Sequence, residues 1–136
     1  MERSIETPKQ IKTVLVVDDD DSWCYVAKRL LKKVGFENQV MTAGNGLDAL
    51  QSLRAIAARG EMLPEVIFLD IKMPVMNGFE FLEEIAKSTD LDLRNTRIFM
   101  CTSSFLPMEK ERARLYPVAG FITKPLTQEQ LRDILE

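Results

Sequence analysis

The sequence predicts an α/β fold built on a parallel five-stranded sheet, and three observations support this class. Five short apolar runs recur along the chain, at 14–17, 40–43, 66–69, 98–101 and 120–123. The first, third and fourth runs are continuously apolar, which is typical of strands covered on both faces in a parallel sheet. Segments with helical spacing separate the runs, so right-handed crossovers would place helices on both faces of the sheet.

The first two predicted helices each end at a glycine, the residue that most readily adopts the left-handed backbone of a helix C-terminus. The helix over 22–34 is followed by Gly35, and the helix over 46–59 is followed by Gly60. The apolar stripe expected along each helix is Val26, Leu30 and Val34 in the first, and Leu47, Leu50, Leu53 and Ala57 in the second.

The remaining three helices follow the later strands. The third begins at Asn77-Gly78, the fourth spans 107–115, and the fifth begins after Thr127. Thr127 and Gln130 have the spacing of a capping box, in which each side chain bonds the backbone N–H of the other residue. Five repeats of strand and helix are therefore expected.

Composition narrows the class of protein. The 136 residues are 46% hydrophobic and 29% charged, which suits one globular domain over 12–136, preceded by a flexible arm over 1–11. A net charge of −3 argues against direct binding of nucleic acid. No apolar run has the length of a membrane span or a signal peptide, so we expect a cytoplasmic protein with no membrane partner.

Two residue types exclude further chemistry. The chain has no histidine, so His-dependent catalysis and zinc sites of the Cys/His type are excluded. The cysteines, Cys24 and Cys101, lie far apart in apolar surroundings. They are expected to be buried free thiols.

Polar side chains follow four of the predicted strands. The acidic run 18–21 follows the first strand, Asp70 the third, Thr102 the fourth and Lys124 the fifth. Because parallel strands end at the same edge of a sheet, these groups converge at the edge where open α/β sheets bind ligands. Crowded carboxylates repel each other unless a hard divalent cation joins them, and Mg²⁺, for which Mn²⁺ could substitute, suits oxygen ligands. A cation, a lysine and a hydroxyl together make a site for a phosphoryl group, with one carboxylate as nucleophile.

Each of these signals has an ordinary structural explanation when taken alone. The acidic run could be a solvated loop that supplies the N-cap of the first helix, at Asp21 or Ser22. Thr102 could be a plain strand-end hydroxyl, and Lys124 could lie in a surface turn. Their joint position at four strand ends favours the functional interpretation.

Four motifs in order resemble the receiver domain of two-component response regulators, over about 12–136. They are VVDDD at 16–20, FLDIKMPVMNG at 68–78, FMCTS at 99–103 and GFITKPL at 120–126. The resemblance implies a flavodoxin-like, doubly wound (βα)5 fold with strand order 2-1-3-4-5. It also implies a signalling switch that takes a phosphoryl group from a histidine kinase or a histidine phosphotransfer protein.

The resemblance also assigns the acidic residues. It implies that Asp70 is the phospho-acceptor and also a metal ligand. Asp18 and Asp19 would hold Mg²⁺, Asp19 more directly and Asp18 through water, and the backbone carbonyl of Lys72 would add a further ligand.

The same resemblance assigns the switch. Thr102 would bond the phosphoryl group, Lys124 would be its charge partner, and Phe121 would turn inward on phosphorylation; an aromatic residue there could also simply pack. A cis peptide bond is expected before Pro125. The face formed by the fourth helix, fifth strand and fifth helix would then control a downstream protein, and a phosphorylation-linked homodimer is left open. The printed chain stops after the fifth helix, so output passes through protein contacts or the sequence is a fragment.

Three rival functions remain as alternatives. A phosphohydrolase with an aspartyl-phosphate intermediate generally has a second acid two residues after its nucleophile, where this chain has Lys72. A nucleotide- or flavin-binding domain would not place the acidic run 18–21 beside a phosphate. A degenerate receiver used as a scaffold would lack key residues, and here every one is present. We therefore expect no enzyme in the usual sense, but a protein that catalyses only its own aspartyl phosphorylation and dephosphorylation.

Overall fold

A computed structural model of the chain describes residues 11–136. The predicted arm lies outside the described residues except for Ile11, which is buried. In chain order the elements are β1 (Thr13–Val17), α1 (Asp21–Lys33), β2 (Gln39–Ala43), α2 (Gly46–Ala58), β3 (Val66–Leu69), α3 (Gly78–Lys87), β4 (Arg97–Thr102), α4 (Pro107–Ala113), β5 (Gly120–Thr123) and α5 (Gln128–Leu135).

The five strands form one parallel sheet in the order β2-β1-β3-β4-β5, as predicted. Every residue of β3 is buried, which explains its continuously apolar sequence. One apolar cluster joins α1 and α5 to the sheet, and a second joins α2 and α3 to its other face. Because β2 and β3 lie on opposite sides of β1, the strand order reverses between β1 and β3. Open α/β sheets bind ligands at such a point.

The helix ends agree with most of the predicted stop and start signals. Gly35 and Gly60 have φ angles of 94° and 72°, the left-handed conformation expected after α1 and α2. The capping box of Thr127 and Gln130 is present at α5. The predicted N-cap of α1 at Asp21 or Ser22 is wrong, since the side chain of Asp20 accepts hydrogen bonds from the first-turn N–H groups.

The apolar stripe expected on α1 is only partly confirmed: Leu30 and Val34 pack against the core, but neither is fully buried. Val26 is 42% exposed and Leu30 is half-buried. The buried residues of α1 are instead Trp23, Cys24, Ala27 and Leu31. This neighbouring stripe has the same helical spacing and buries the large indole ring, which removes more apolar area from water than a valine does.

The cysteines are free and buried, as predicted. Burial raises the pKa of the Cys101 thiol to about 12 and, together with the charge of Asp18, raises the pKa of Cys24 to about 11. Neither thiol is therefore ionised near neutral pH. Over residues 11–136, no helix combines the length and apolar character needed to cross a membrane.

Candidate functional site

The strand ends bring the predicted polar residues to one edge of the sheet. Val17 and Leu69 are partners in the β1–β3 ladder, so Asp18 and Asp70 are the next residues on adjacent strands. The ladder continues past the last paired residues: the Asp70 N–H donates to the carbonyl of Val17 at 3.0 Å. On the other side, the Lys124 N–H donates to the carbonyl of Thr102 at 2.8 Å. Backbone pairing thus holds all four residues at the edge.

Three carboxylates meet at this edge. Asp18, Asp19 and Asp70 each have a carboxylate oxygen within 4.8 Å of the others. Asp18 is 3% exposed and Asp70 is 8% exposed, whereas Asp19 is open to solvent. The structure therefore brings together the acidic residues that the sequence selected.

The two buried carboxylates are oriented by backbone hydrogen bonds. One oxygen of Asp18, Oδ1, accepts from the N–H of Asp20 at 2.9 Å, and Oδ1 of Asp70 accepts from the N–H of Ile71 at 2.8 Å. The other oxygens face the Lys124 ammonium: Nζ lies 2.5 Å from Oδ2 of Asp18 and 3.8 Å from Oδ2 of Asp70. Lys124 therefore ion-pairs with Asp18 and is within reach of Asp70.

The charges at the site are not balanced by the protein alone. Three carboxylates cluster at the edge, and the Lys124 ammonium lies within ion-pair distance of two of them, Asp18 and Asp70, which leaves an excess of negative charge. Burial, and then the charge of Asp18, raise the pKa of Asp70, while Lys124 and the N–H of Ile71 act in the opposite direction. Burial alone would lower the pKa of Lys124, but the hydrogen bond with Asp18 and the charge of Asp70 outweigh it and raise this pKa.

The donor set fits a hard divalent cation. Carboxylate oxygens are the ligands that Mg²⁺ prefers, and a double positive charge would compensate the excess negative charge. The exposed Asp19 leaves one side open to water, which Mg²⁺ retains as ligands. The side chain of Lys72, by contrast, is exposed, so only its backbone remains a candidate ligand.

Thr102 and Phe121 lie on the neighbouring strands β4 and β5. Thr102 is the last residue of β4 and is 7% exposed; its side chain helps to hold the pKa of the Asp70 carboxyl down. Phe121 is half-buried, and its ring meets the ring of Phe105 edge-to-face at 5.5 Å. The Lys110 ammonium lies 5.7 Å from the centre of the Phe121 ring. Phe121 thus links the sheet edge to α4.

One residue of the site was missed from the sequence. Gly78 was assigned only to the start of α3, but a Cβ there would come within 2.2 Å of the backbone oxygen of Asp70. Glycine is therefore required for α3 to approach Asp70 this closely. The available signal was a glycine at the first position of a helix, where glycine is a poor helix former.

The backbone conformation of Val75, near the site, was also not predicted from the sequence. Val75, in the loop between β3 and α3, has a φ of 67°, a left-handed conformation that is unfavourable for a β-branched residue. The peptide bond between Lys124 and Pro125 is cis, as predicted. Both loops that border Asp70 and Lys124 thus have uncommon backbone conformations.

Comparisons with known proteins agree with this geometry. A family model described as the response regulator receiver domain matches residues 14–136. PilG of Pseudomonas aeruginosa is 31% identical over 118 residues, which cover 87% of this chain and 80% of PilG. The sensor histidine kinase CheAY of Helicobacter pylori is 28% identical over 90% of this chain, but the match spans only 14% of that longer protein. The crystal structure of the Vibrio cholerae chemotaxis protein CheY4 has a TM-score of 0.74 and 30% identity, covering 92% of this chain and 96% of that one.

Proposed function

The chain belongs to the response regulator receiver domain family, and from this premise we propose that it is a signalling switch whose Asp70 accepts a phosphoryl group. One observation carries the proposal. Asp18, Asp19 and Asp70 lie within 4.8 Å of one another beside Lys124, the arrangement that an incoming phosphoryl group requires.

The proposed reaction is a phosphoryl transfer to a carboxylate oxygen. Oδ2 of Asp70 attacks the phosphorus atom, a new O–P bond forms, and the bond from phosphorus to the donor's leaving group breaks. The leaving group departs with the bonding electrons. Because Oδ1 of Asp70 is held by the N–H of Ile71, Oδ2 is the oxygen available for attack.

Asp18, Asp19 and Asp70, with the backbone carbonyl of Lys72, are the residues that would hold Mg²⁺. When bound, the ion supplies positive charge that offsets the charge of the phosphoryl oxygens. Lys124 supplies a second positive charge from the β5 side, 3.8 Å from Asp70. Mn²⁺ is proposed as a substitute because it accepts the same oxygen ligands.

Signalling in this proposal follows from two residues on the neighbouring strands. A phosphoryl group on Asp70 adds charge and acceptor oxygens, to which the hydroxyl of Thr102 donates a hydrogen bond. The space that Thr102 vacates lets Phe121 turn inward from its contact with Phe105. The surface formed by α4, β5 and α5 changes shape as a result and controls a downstream protein.

The proposed donor is a histidine kinase or a histidine phosphotransfer protein in the cytoplasm. The sequence match to one segment of a sensor histidine kinase supports this class of partner. A phosphorylation-linked homodimer through the α4-β5-α5 surface is proposed as a further partner arrangement. We propose no role in binding nucleic acid, in keeping with the net charge of −3.

The protein is proposed to have no separate substrate to turn over, and to catalyse only the phosphorylation and dephosphorylation of its own Asp70. A phosphohydrolase would need a second acid beside the nucleophile. The position two residues after Asp70 is Lys72, whose side chain points to solvent. The geometry therefore favours the switch over the enzyme.

Acetyl phosphate with and without Mg²⁺ tests the proposed function. We expect one added phosphoryl mass in the intact protein, only in the presence of a divalent cation, and none in Asp70→Asn. Asp90→Asn is the matched control, because Asp90 is an exposed aspartate in the loop after α3 that pairs with Arg54. A wild-type protein that stays unmodified under these conditions would overturn the proposal.

A further inference from the structure

Lys124 has a third neighbour that the proposed function does not use. Besides Asp18 and Asp70, its ammonium lies over the ring of Trp23, 5.1 Å from the ring centre. A cation within about 6 Å of an aromatic face is attracted by the negative charge of the π system. Trp23 therefore contributes to the position of the ammonium as well as to the packing of α1.

Trp23 is held in place by its backbone and by the packing of its side chain. Its backbone N–H donates to Oδ1 of Asp20 at 3.2 Å, which anchors the first turn of α1. The side chain is 8% exposed and belongs to the apolar cluster that includes Leu126 and Leu131. The side chain of Lys124 is 16% exposed, so little water separates the ammonium from the ring. Cation–π attraction is strongest when both groups are shielded from water in this way.

The contact between the Lys124 ammonium and the Trp23 ring bears directly on the proposed phosphoryl transfer. The strongest partner of Lys124 is Asp18, at 2.5 Å, and the proposal also makes Asp18 a metal ligand. A carboxylate whose charge is compensated by a cation attracts an ammonium less strongly. Lys124 must still stay beside Asp70, from which it is 3.8 Å away, beyond hydrogen-bond distance. The face of an aromatic ring holds a cation without fixing a donor direction, so the ammonium can move by the small distance that remains.

We propose that Trp23 is a positioning residue that keeps the Lys124 ammonium beside Asp70 while Asp18 serves the metal, an inference that rests on the proposed function. The alternative is that Trp23 only fills space in the core. An aliphatic residue would then serve as well as an aromatic one of similar size. The pair of variants Trp23→Phe and Trp23→Leu separates the two, because both reduce the volume of the side chain and only Phe retains a π face.

The first measurement is made on the metal-free protein. Methylene protons above an indole face resonate upfield, so the ¹H–¹³C spectrum of wild type should contain an upfield Lys124 ε-methylene signal, identified by its absence in Lys124→Met. The signal should stay partly shifted in Trp23→Phe and return to the ordinary position in Trp23→Leu. Tyr25→Leu is the matched control, since Tyr25 is an exposed aromatic on the same helix that contacts Arg29 instead.

The second measurement is the rate of phosphoryl uptake from acetyl phosphate and Mg²⁺. We expect Trp23→Leu to be slower than wild type by roughly three- to tenfold, the loss of one shielded cation–π contact, while Trp23→Phe keeps most of the rate. Tyr25→Leu should match wild type. Thermal unfolding of each variant checks that Phe and Leu at position 23 destabilise the fold to a similar extent.

The outcomes separate this inference from the function on which it rests. Equal rates in Trp23→Phe and Trp23→Leu, with wild type fully modified, overturn the positioning role and leave the switch intact. An unshifted Lys124 signal in wild type also overturns it. A wild-type protein that takes up no phosphoryl group overturns the proposed function itself. A slower Leu variant rescued by Phe, with the matching change in the Lys124 signal, supports the inference.

Discussion

Strand β3 has a buried carboxylate at each end, Glu65 just before its first residue and Asp70 just after its last. The two are 7% and 8% exposed. Oε1 of Glu65 accepts from the backbone N–H groups of Lys12, at 3.2 Å, and Thr13, at 3.0 Å. Asp70 instead faces a second buried carboxylate and shares one lysine with it.

The difference between the two ends shows that burial alone does not identify a functional carboxylate. The carboxylate of Glu65 is satisfied by neutral donors, the backbone N–H groups of Lys12 and Thr13, and it belongs to no cluster of acidic residues within 11–136. Asp70 lies where like charges are held together by the fold, so its environment favours an added cation. The set of partners, and not the degree of burial, distinguishes Glu65 from the proposed acceptor Asp70.

Substitutions at the two ends of β3 should differ most in their effect on phosphoryl uptake. Asp70→Asn removes the nucleophilic oxygen and should abolish modification by acetyl phosphate and Mg²⁺. Glu65→Gln should be modified at the wild-type rate, because it lies at the opposite end of the strand. Intact mass after a time course measures both. Persistent modification of Asp70→Asn would show that another residue accepts the phosphoryl group.

The next effect is on stability and concerns Glu65. Replacement of Glu65 by Leu leaves two backbone N–H groups without an acceptor. We expect the free energy of unfolding to fall by about 2–4 kcal/mol as a result. Glu65→Gln retains an acceptor oxygen and should lose less than about 1 kcal/mol. Urea denaturation at pH 7 measures the difference. Equal losses in Leu and Gln would mean that the charge of Glu65, not its hydrogen bonds, stabilises this end.

At Asp70, in contrast to Glu65, substitution is expected to raise the free energy of unfolding of the metal-free protein. Because burial and Asp18 raise the pKa of Asp70, the folded state binds its proton more tightly than the unfolded state does. The stability that this group contributes is full below its ordinary pKa and is lost as the pH rises through the raised value. Asp70→Asn should therefore increase the free energy of unfolding at pH 7, by about 0.5–2 kcal/mol, the usual size of a single stabilising substitution.

That gain should shrink as the pH falls from 7 into the acidic range, because protonation of the wild-type carboxyl removes its unbalanced charge. Mg²⁺ should stabilise wild type more than Asp70→Asn, since the variant lacks one anionic ligand. Denaturation curves across this pH range, with and without Mg²⁺, provide the check. A variant that is less stable than wild type at pH 7 without metal would contradict the account of unbalanced charge.

The smallest effect concerns the loop after Asp70. Val75→Gly relieves the left-handed conformation at φ 67° but gives the unfolded chain more freedom, so we expect a net gain of about 0.5–1 kcal/mol. Val75→Ala keeps a Cβ and should show no such gain. Thermal unfolding of the two variants decides. A loss in Val75→Gly would mean that contacts of the valine side chain outweigh the backbone strain.

The sheet could be predicted from the sequence almost residue by residue. The runs at 66–69 and 120–123 coincide with β3 and β5. β1 and β2 begin one residue before the predicted runs, and β4 extends one residue beyond its run at each end. Continuous apolar sequence is a strong signal because these strands are covered on both faces. The faces of α1 could not be chosen in advance, since two apolar stripes lie side by side and only packing against the sheet selects one.

The gathering of Asp18, Asp70, Thr102 and Lys124 followed from one topological rule, that parallel strands end together. What the sequence could not supply is the set of close approaches. The contact of Gly78 with the backbone of Asp70 depends on how the loop after β3 folds back, and the position of Trp23 over the Lys124 ammonium depends on how α1 packs against the sheet. Such contacts become visible only after the helices are packed.

The register between β1 and β3 has a consequence for quality control during folding. Val17 pairs with Leu69, and a slip by one residue would shift a strand by about 3.3 Å and turn its side chains to the opposite face. Asp18 and Asp70 would then no longer share Lys124. A compact chain with this misaligned register would not accept a phosphoryl group from its donor. Only molecules with the correct register between β1 and β3 would therefore signal.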